Sequence, residues 1–210
     1  MTKTGNSGWY NRSMPDTHAI QCRCGQLRGL LQPTHPSNRC VCYCSDCQAF
    51  ARHLGAQDAL DREGGSDIVQ VPASHVAFTQ GQQQLACIRL TDKGMVRWYA
   101  SCCRTPIGNT LADGKSDFVG LLQTGLGAAS LDASFGPVTM RVAVDSALGP
   151  DKPKATGMLG GVAKVMGFII KGRLRKTWRA SPFFDARTGL PVAKPKVLTA
   201  EELAAAKRAG

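Results

Sequence analysis

The chain has 210 residues, is 43% apolar and 20% charged, and carries a net charge of +11 and nine cysteines. That length holds one domain with a real core plus appendages, and the balance excludes an intrinsically disordered chain. No apolar run reaches the roughly 18 residues of a membrane-spanning helix, and the opening stretch MTKTGNSGWYNRSMPD lacks a signal-peptide core. A cytoplasmic protein is therefore expected, a setting in which clustered cysteines bind metal more often than they form disulfides.

Residues 1–17 are polar with Gly, Asn and Pro and read as a loose arm. Short strands are predicted over 18–20, 26–31 and 39–44, then a short helix over 48–55 that ends at Gly55. Four further strands follow over 68–71, 76–79, 85–90 and 95–100, rich in β-branched and aromatic residues, with TDKG (91–94) as a hairpin turn. Trp98 and Tyr99 read as half-buried strand residues. Two more strands are expected over 118–122 and 138–144. The second alternates, with Val138, Met140, Val142 and Val144 on one face. The fold class is thus mainly β, a small antiparallel zinc-binding domain over 18–148.

Residues 149–157 (GPDKPKATG) have linker composition and open a helical, basic C-terminal extension over 149–210. Residues 151–210 hold 13 Lys or Arg against 4 Asp or Glu, whereas residues 1–150 hold 13 against 11. Over 158–178 a helix would place Met158, Val162, Val165, Met166, Ile169 and Ile170 on one stripe, with Lys164, Lys171 and Arg175 off it. That stripe suits docking on the β domain or a second subunit, or peripheral membrane contact. A second helix is predicted over 198–209, with Thr199 as N-cap and Glu202 completing a capping box. The basic tail lacks the aromatic interleaving of a nucleic-acid surface, and nucleic acid is not an expected partner.

Seven cysteines fall in three motifs: Cys22 and Cys24 in CRCG, Cys42, Cys44 and Cys47 in CYCSDC, and Cys102 and Cys103 in CCRTP. On an extended segment residues i and i+2 share a face, and in C-x-x-C a tight turn aims both sulfurs at one ion. Soft thiolates at such spacing select zinc, one or two Zn2+ per chain. Seven ligands divide into four plus three: a closed structural site, and an open one with a place for water or substrate. A single ion held by Cys22, Cys24 and members of CYCSDC is a further option. Cys40 and Cys87 read as buried strand residues. The four histidines sit at no ligand spacing, and Asp46 reads as a turn residue. Arg104 is a candidate for binding a substrate carboxylate or for compensating the thiolates.

CRCG, CYCSDC with Gln48 following, a late cysteine pair before Thr105-Pro106, and SLD (130–132) followed by PVTM (137–140) resemble the glutathione-dependent formaldehyde-activating enzyme family. That family includes the centromere protein V proteins, and the resemblance covers about residues 18–148. It implies a β-tent fold with two zinc sites, Cys22 and Cys24 joining the late cysteines in the structural one. Cys42, Cys44 and Cys47 would hold the labile one and form the catalytic centre. The implied activity is a carbon–sulfur lyase (S-(hydroxymethyl)glutathione synthase) acting on a small thiol such as a glutathione adduct. A non-catalytic zinc-stabilised binding module, its basic tail engaging a partner, nucleic acid or a membrane surface, is the alternative. The late motif departs from the family pattern C-x-x-C-G-T: Ala100 stands where the first cysteine should be and Arg104 replaces the glycine. Neighbours on a strand point to opposite faces, so Cys102 and Cys103 can share one ion only across a local kink.

Overall fold

The computed structural model describes residues 16–208; most of the arm expected over 1–17 lies outside the described residues. The fold is mainly β. Strands β1 (His18–Gln21), β2 (Arg28–Leu31) and β5 (Val76–Gln80) form a small antiparallel sheet. The larger sheet has eight strands, in the order β10-β3-β4-β9-β8-β7-β6-β11. Its members are β3 (Asn38–Cys42), β4 (Ser66–Val71), β6 (Leu85–Arg89), β7 (Val96–Ala100), β8 (Thr105–Thr110), β9 (Val119–Leu122), β10 (Met140–Val142) and β11 (Lys196–Val197). Pairing is antiparallel except at the two edges, where β10 runs parallel to β3 and β11 parallel to β6.

The main core is filled by Ile20, Leu27, Leu31, Val69, Trp98 and Leu121 among others, all essentially buried. Strand β8 was not among the predicted elements. Its sequence, TPIGNT, carries Pro106 and Gly108, poor residues for a central strand. Pro106 is tolerated because it faces Tyr99 where the β7–β8 register shifts, and a bulge needs no ladder N–H there. The strand expected over 138–144 is only three residues long, since Ala143 turns into the left-handed region (φ 55°).

Among the described residues four helices decorate the sheets: α1 (Ser45–His53), α2 (Leu131–Phe135), α3 (Met158–Arg175) and α4 (Ala200–Lys207). Thr199 and Glu202 form the expected capping box on α4. This helix packs on α1 through a small core of Ala49, Phe50, Leu54, Leu198 and Ala206. The C-terminal segment also enters the main core. Phe183 is fully buried, its ring 5.2 Å from Trp98 and 5.7 Å from Phe78, and Phe184 meets Trp98 at 6.0 Å.

Helix α3 does not dock through the stripe its hydrophobic pattern suggested. Gly161, Val165, Phe168 and Gly172 face the protein, while Met158, Val162, Met166 and Ile170 are exposed. Close approach explains the choice. A Cβ at Gly161 would lie 2.2 Å from Met140 Sδ, and one at Gly172 would lie 2.3 Å from Asp117 Cβ. Glycines that weaken an isolated helix are here the contact residues.

Candidate metal centres

The seven motif cysteines gather into two separate groups, Cys22/Cys24/Cys102/Cys103 and Cys42/Cys44/Cys47. Within each group the sulfurs all lie within 4.8 Å of one another. All nine cysteines are free thiols. The division is four plus three, and a single centre built from CRCG and CYCSDC is not what the fold assembles.

In the first group Cys22 follows β1, and Cys24 lies in the turn completed by Gly25 at φ 74°. The late pair sits between β7 and β8, where residues 101–104 form a turn rather than a continuing strand. That turn supplies the kink two adjacent cysteines require. Arg104 takes the left-handed conformation (φ 56°) that glycine adopts most readily. The sulfur separations are 3.6 Å for Cys22–Cys24, 3.8 Å for Cys22–Cys102, 3.3 Å for Cys24–Cys102 and 3.8 Å for Cys102–Cys103. Four thiolates about 2.3 Å from a tetrahedral zinc sit roughly 3.8 Å apart. The four separations lie close to that value, so the donor set fits such an ion. Burial pushes the Cys102 thiol up, with the neighbouring thiols adding to it. Cys103 is held down at about 6: burial opposes this, but the Thr105 hydroxyl at 3.0 Å and the backbone N–H groups of Cys24 and Thr105 outweigh it. Thiols this close cannot all ionise unless a cation joins them.

The second group straddles the β3–α1 junction. Cys42 ends β3, Cys44 is the N-cap of α1, and Cys47 lies in its first turn. Cys44 Sγ accepts the Cys47 N–H at 3.4 Å, and the positive end of the helix favours thiolates here. Cys42 and Cys44 are half-buried and Cys47 is buried. Hydrogen bonds from Cys42 and Cys47 draw the Cys44 thiol well below its ordinary value, while the same contacts push Cys42 up. Cys47 is raised, its bond to Cys42 being outweighed by that to Cys44 and by burial. Ser66 pairs with Cys42 across β3 and β4, so the two side chains share a face. Its hydroxyl is buried and has no partner among the described residues, which leaves a spare donor beside the sulfurs. No fourth His, Cys, Asp or Glu joins this group among the described residues.

Sequence reasoning missed Arg97. It lies in VRWYA of β7, where alternation suggests an outward, solvated side chain, yet it is only 5% exposed. Its guanidinium donates to Cys47 Sγ at 3.8 Å and to Asn109 Oδ1 at 3.3 Å, lies 5.6 Å from the Phe50 ring, and pairs with Asp46 at 4.0 Å. This buried cation pulls both Cys44 and Cys47 toward the thiolate. The signal was one basic residue in an otherwise apolar strand, readable only once α1 is known to cover that face. Asp46, expected as a turn residue, sits in the first turn of α1 and also pairs with Lys207 at 3.5 Å.

Arg104 donates to the carbonyls of His53 (Nη2) and Leu54 (Nε, 3.1 Å), so its charge sits at the C-terminal end of α1. Cys40 is buried outside the second group, its thiol pushed to about 12 by burial and by the neighbouring Cys47, Asp67 and Cys44. Cys87 is also buried, raised to about 12 by burial, and donates to Ala193 O. His18 is a core residue, bonded to Ser134 Oγ (2.8 Å) and Leu126 O (2.7 Å).

Residues 14–196 match the model of a family described as a family of unknown function (DUF6151). The matched stretch contains both cysteine groups, Arg97, α3 and Phe183. No curated protein matches the chain. On the extent of that match, the chain belongs to the DUF6151 family.

Proposed function

We propose that this protein is a zinc enzyme of carbon–sulfur chemistry, related in its β-tent architecture to the glutathione-dependent formaldehyde-activating enzymes. The observation that carries this reading is the four-plus-three partition of the cysteines. Four thiolates close a tetrahedral zinc and leave it structural, whereas three leave a coordination position free. Cys22, Cys24, Cys102 and Cys103 are assigned the structural ion, and Cys42, Cys44 and Cys47 the open one. When bound there, the ion would supply a Lewis-acidic position for a thiol sulfur or carbonyl oxygen.

The chain's own residues prepare that position. The N-terminus of α1 and the Arg97 guanidinium favour thiolates at Cys44 and Cys47. The half-buried Cys42 and Cys44 leave the group reachable by a small molecule. The proposed reaction adds a thiol such as glutathione to formaldehyde. The sulfur lone pair forms the C–S bond, the carbonyl π pair moves to oxygen, and the thiol proton ends on that oxygen to give the hydroxymethyl thioether. Arg104, committed to the end of α1, is a positioning residue in this scheme rather than a carboxylate anchor. Nine free cysteines suit the reducing cytoplasm.

The test is metal analysis of the purified protein together with NMR observation of formaldehyde and glutathione. Two zinc ions per chain, with turnover lost and one ion missing in Cys44→Ser, are expected. Two ions without turnover would leave a zinc-stabilised binding module. A metal-free protein with ordered thiols would overturn both readings.

A further inference from the structure

Helix α3 leaves a continuous apolar arc uncovered. Leu159 is 90% exposed and Leu174 79%, with Val162, Met166 and Ile170 between them at about half exposure. At 3.6 residues per turn and a 1.5 Å rise these side chains follow one side of the helix over roughly 22 Å. No element of the described residues covers them, because the docking face is the Gly161, Phe168 and Gly172 side.

The charge beside that arc has one sign. Residues 152–184 contain eight Lys or Arg and no Asp or Glu. Lys164, Lys171 and Arg175 follow the adjacent helix edge and line a cleft of ≈ 590 Å³ against Ser74 and His75. None of the three makes a hydrogen bond or ion pair among the described residues. Asp117, which also borders the cleft, is already committed to the Ser74 N–H and hydroxyl and to the Thr177 hydroxyl. Trp178, half-buried just beyond the helix with Arg179 over its ring, adds an amphipathic aromatic at the same end.

We propose that α3 is a peripheral docking element for an anionic lipid surface. The apolar arc would enter the headgroup boundary while Lys164, Lys171 and Arg175 meet the acidic headgroups. Charge decides against a second copy as the occupant. A twofold contact sets the same patch against itself, and here like charges would face each other, since the bordering Asp113 and Asp117 are already taken up by Arg173 and by Ser74 and Thr177. No helix of the described chain is long and apolar enough to cross a membrane, so the contact is superficial.

The experiment is flotation of the full chain with vesicles of phosphatidylcholine alone and of phosphatidylcholine containing phosphatidylglycerol. Binding to the anionic vesicles only, weakened by salt, is expected. The double variant Leu159→Glu/Ile170→Glu should stay unbound. The triple variant Lys164→Glu/Lys171→Glu/Arg175→Glu should lose affinity by roughly 100-fold or more, at the cost typical of a juxtamembrane cation. Metal content and circular dichroism matching the parent protein report that each variant is folded. The proposal is overturned if the parent protein floats with neither vesicle, or if both folded variants float as it does. It is equally overturned if light scattering shows a dimer that Leu159→Glu/Ile170→Glu splits while anionic vesicles take up nothing.

Discussion

Replacing Arg97 with methionine keeps most of the side-chain volume and removes the buried cation that contacts Cys47. Counted from the fully protonated group, loading Cys42, Cys44 and Cys47 with a divalent ion takes three neutral thiols to a complex of net charge −1, and three protons leave. A cation nearby favours that charge. At 3.8 Å a full unit charge would feel about 4 kcal/mol at an effective dielectric near 20. The complex spreads its charge over three sulfurs, and Asp46 at 4.0 Å from Arg97 offsets part of the field, so about 2 kcal/mol is the working figure. With three protons released, and about 1.36 kcal/mol per pH unit for each, the loading midpoint moves up by roughly 0.5 pH units. The sign follows directly: without Arg97 the thiolates need a higher pH to form. Metal content measured against pH, at fixed free zinc, reads the shift. The four-cysteine group serves as an internal reference whose midpoint should not move. Loading curves that coincide for Arg97→Met and the parent protein would refute the electrostatic role, as would a shift to lower pH.

Phe183→Ala should cost about 3–5 kcal/mol in urea unfolding, as for other fully buried aromatics. A cost under about 1 kcal/mol would show that the C-terminal segment is an appendage and not part of the core. At residue 104, both Arg104→Ala and Arg104→Gly remove the guanidinium from the end of α1. Only glycine is at ease at φ 56°, so the alanine variant should be the less stable by about 1 kcal/mol; equal stabilities would refute the strain at this turn. In metal-stripped protein, iodoacetamide should alkylate Cys103 half-maximally near pH 6, because its depressed value leaves a thiolate above that pH. Peptide mapping that finds Cys103 inert until pH 8 or above, where an ordinary thiol titrates, would contradict this.

Much of the site was legible because thiol spacing is a local property. CRCG and CYCSDC each hold their sulfurs within a few residues, so strand geometry and one turn suffice to aim them. The late pair was harder to read. CCR looks like two residues on opposite faces until β8 is recognised, and β8 hides behind Pro106 and Gly108. Recognising it turns residues 101–104 into a turn and removes the objection to a four-cysteine centre. Arg97 escaped for a related reason. Its burial depends on α1 and on the tail helix α4 that packs against α1, neither of which is visible from β7. The α3 stripe misled because hydrophobic periodicity counts large side chains, and this helix docks through glycines.

Helix α1 connects these features. Its N-terminus carries Cys44 and Cys47, and its C-terminal carbonyls are held by Arg104, which follows directly on Cys103 of the other group. One side is covered by α4, and Lys207 of α4 reaches Asp46 beside Cys47. The helix is thus fixed at both ends and along one side by residues 50 or more positions away in the sequence. A free metal position built on three thiolates needs such support, because an unconstrained helix start would let the sulfurs rotate away or pair as a disulfide. On this view Arg104 in a left-handed position is not a defect of the turn. It trades about 1–2 kcal/mol of backbone ease for a clamp that ties the four-cysteine turn to the helix bearing the three-cysteine group.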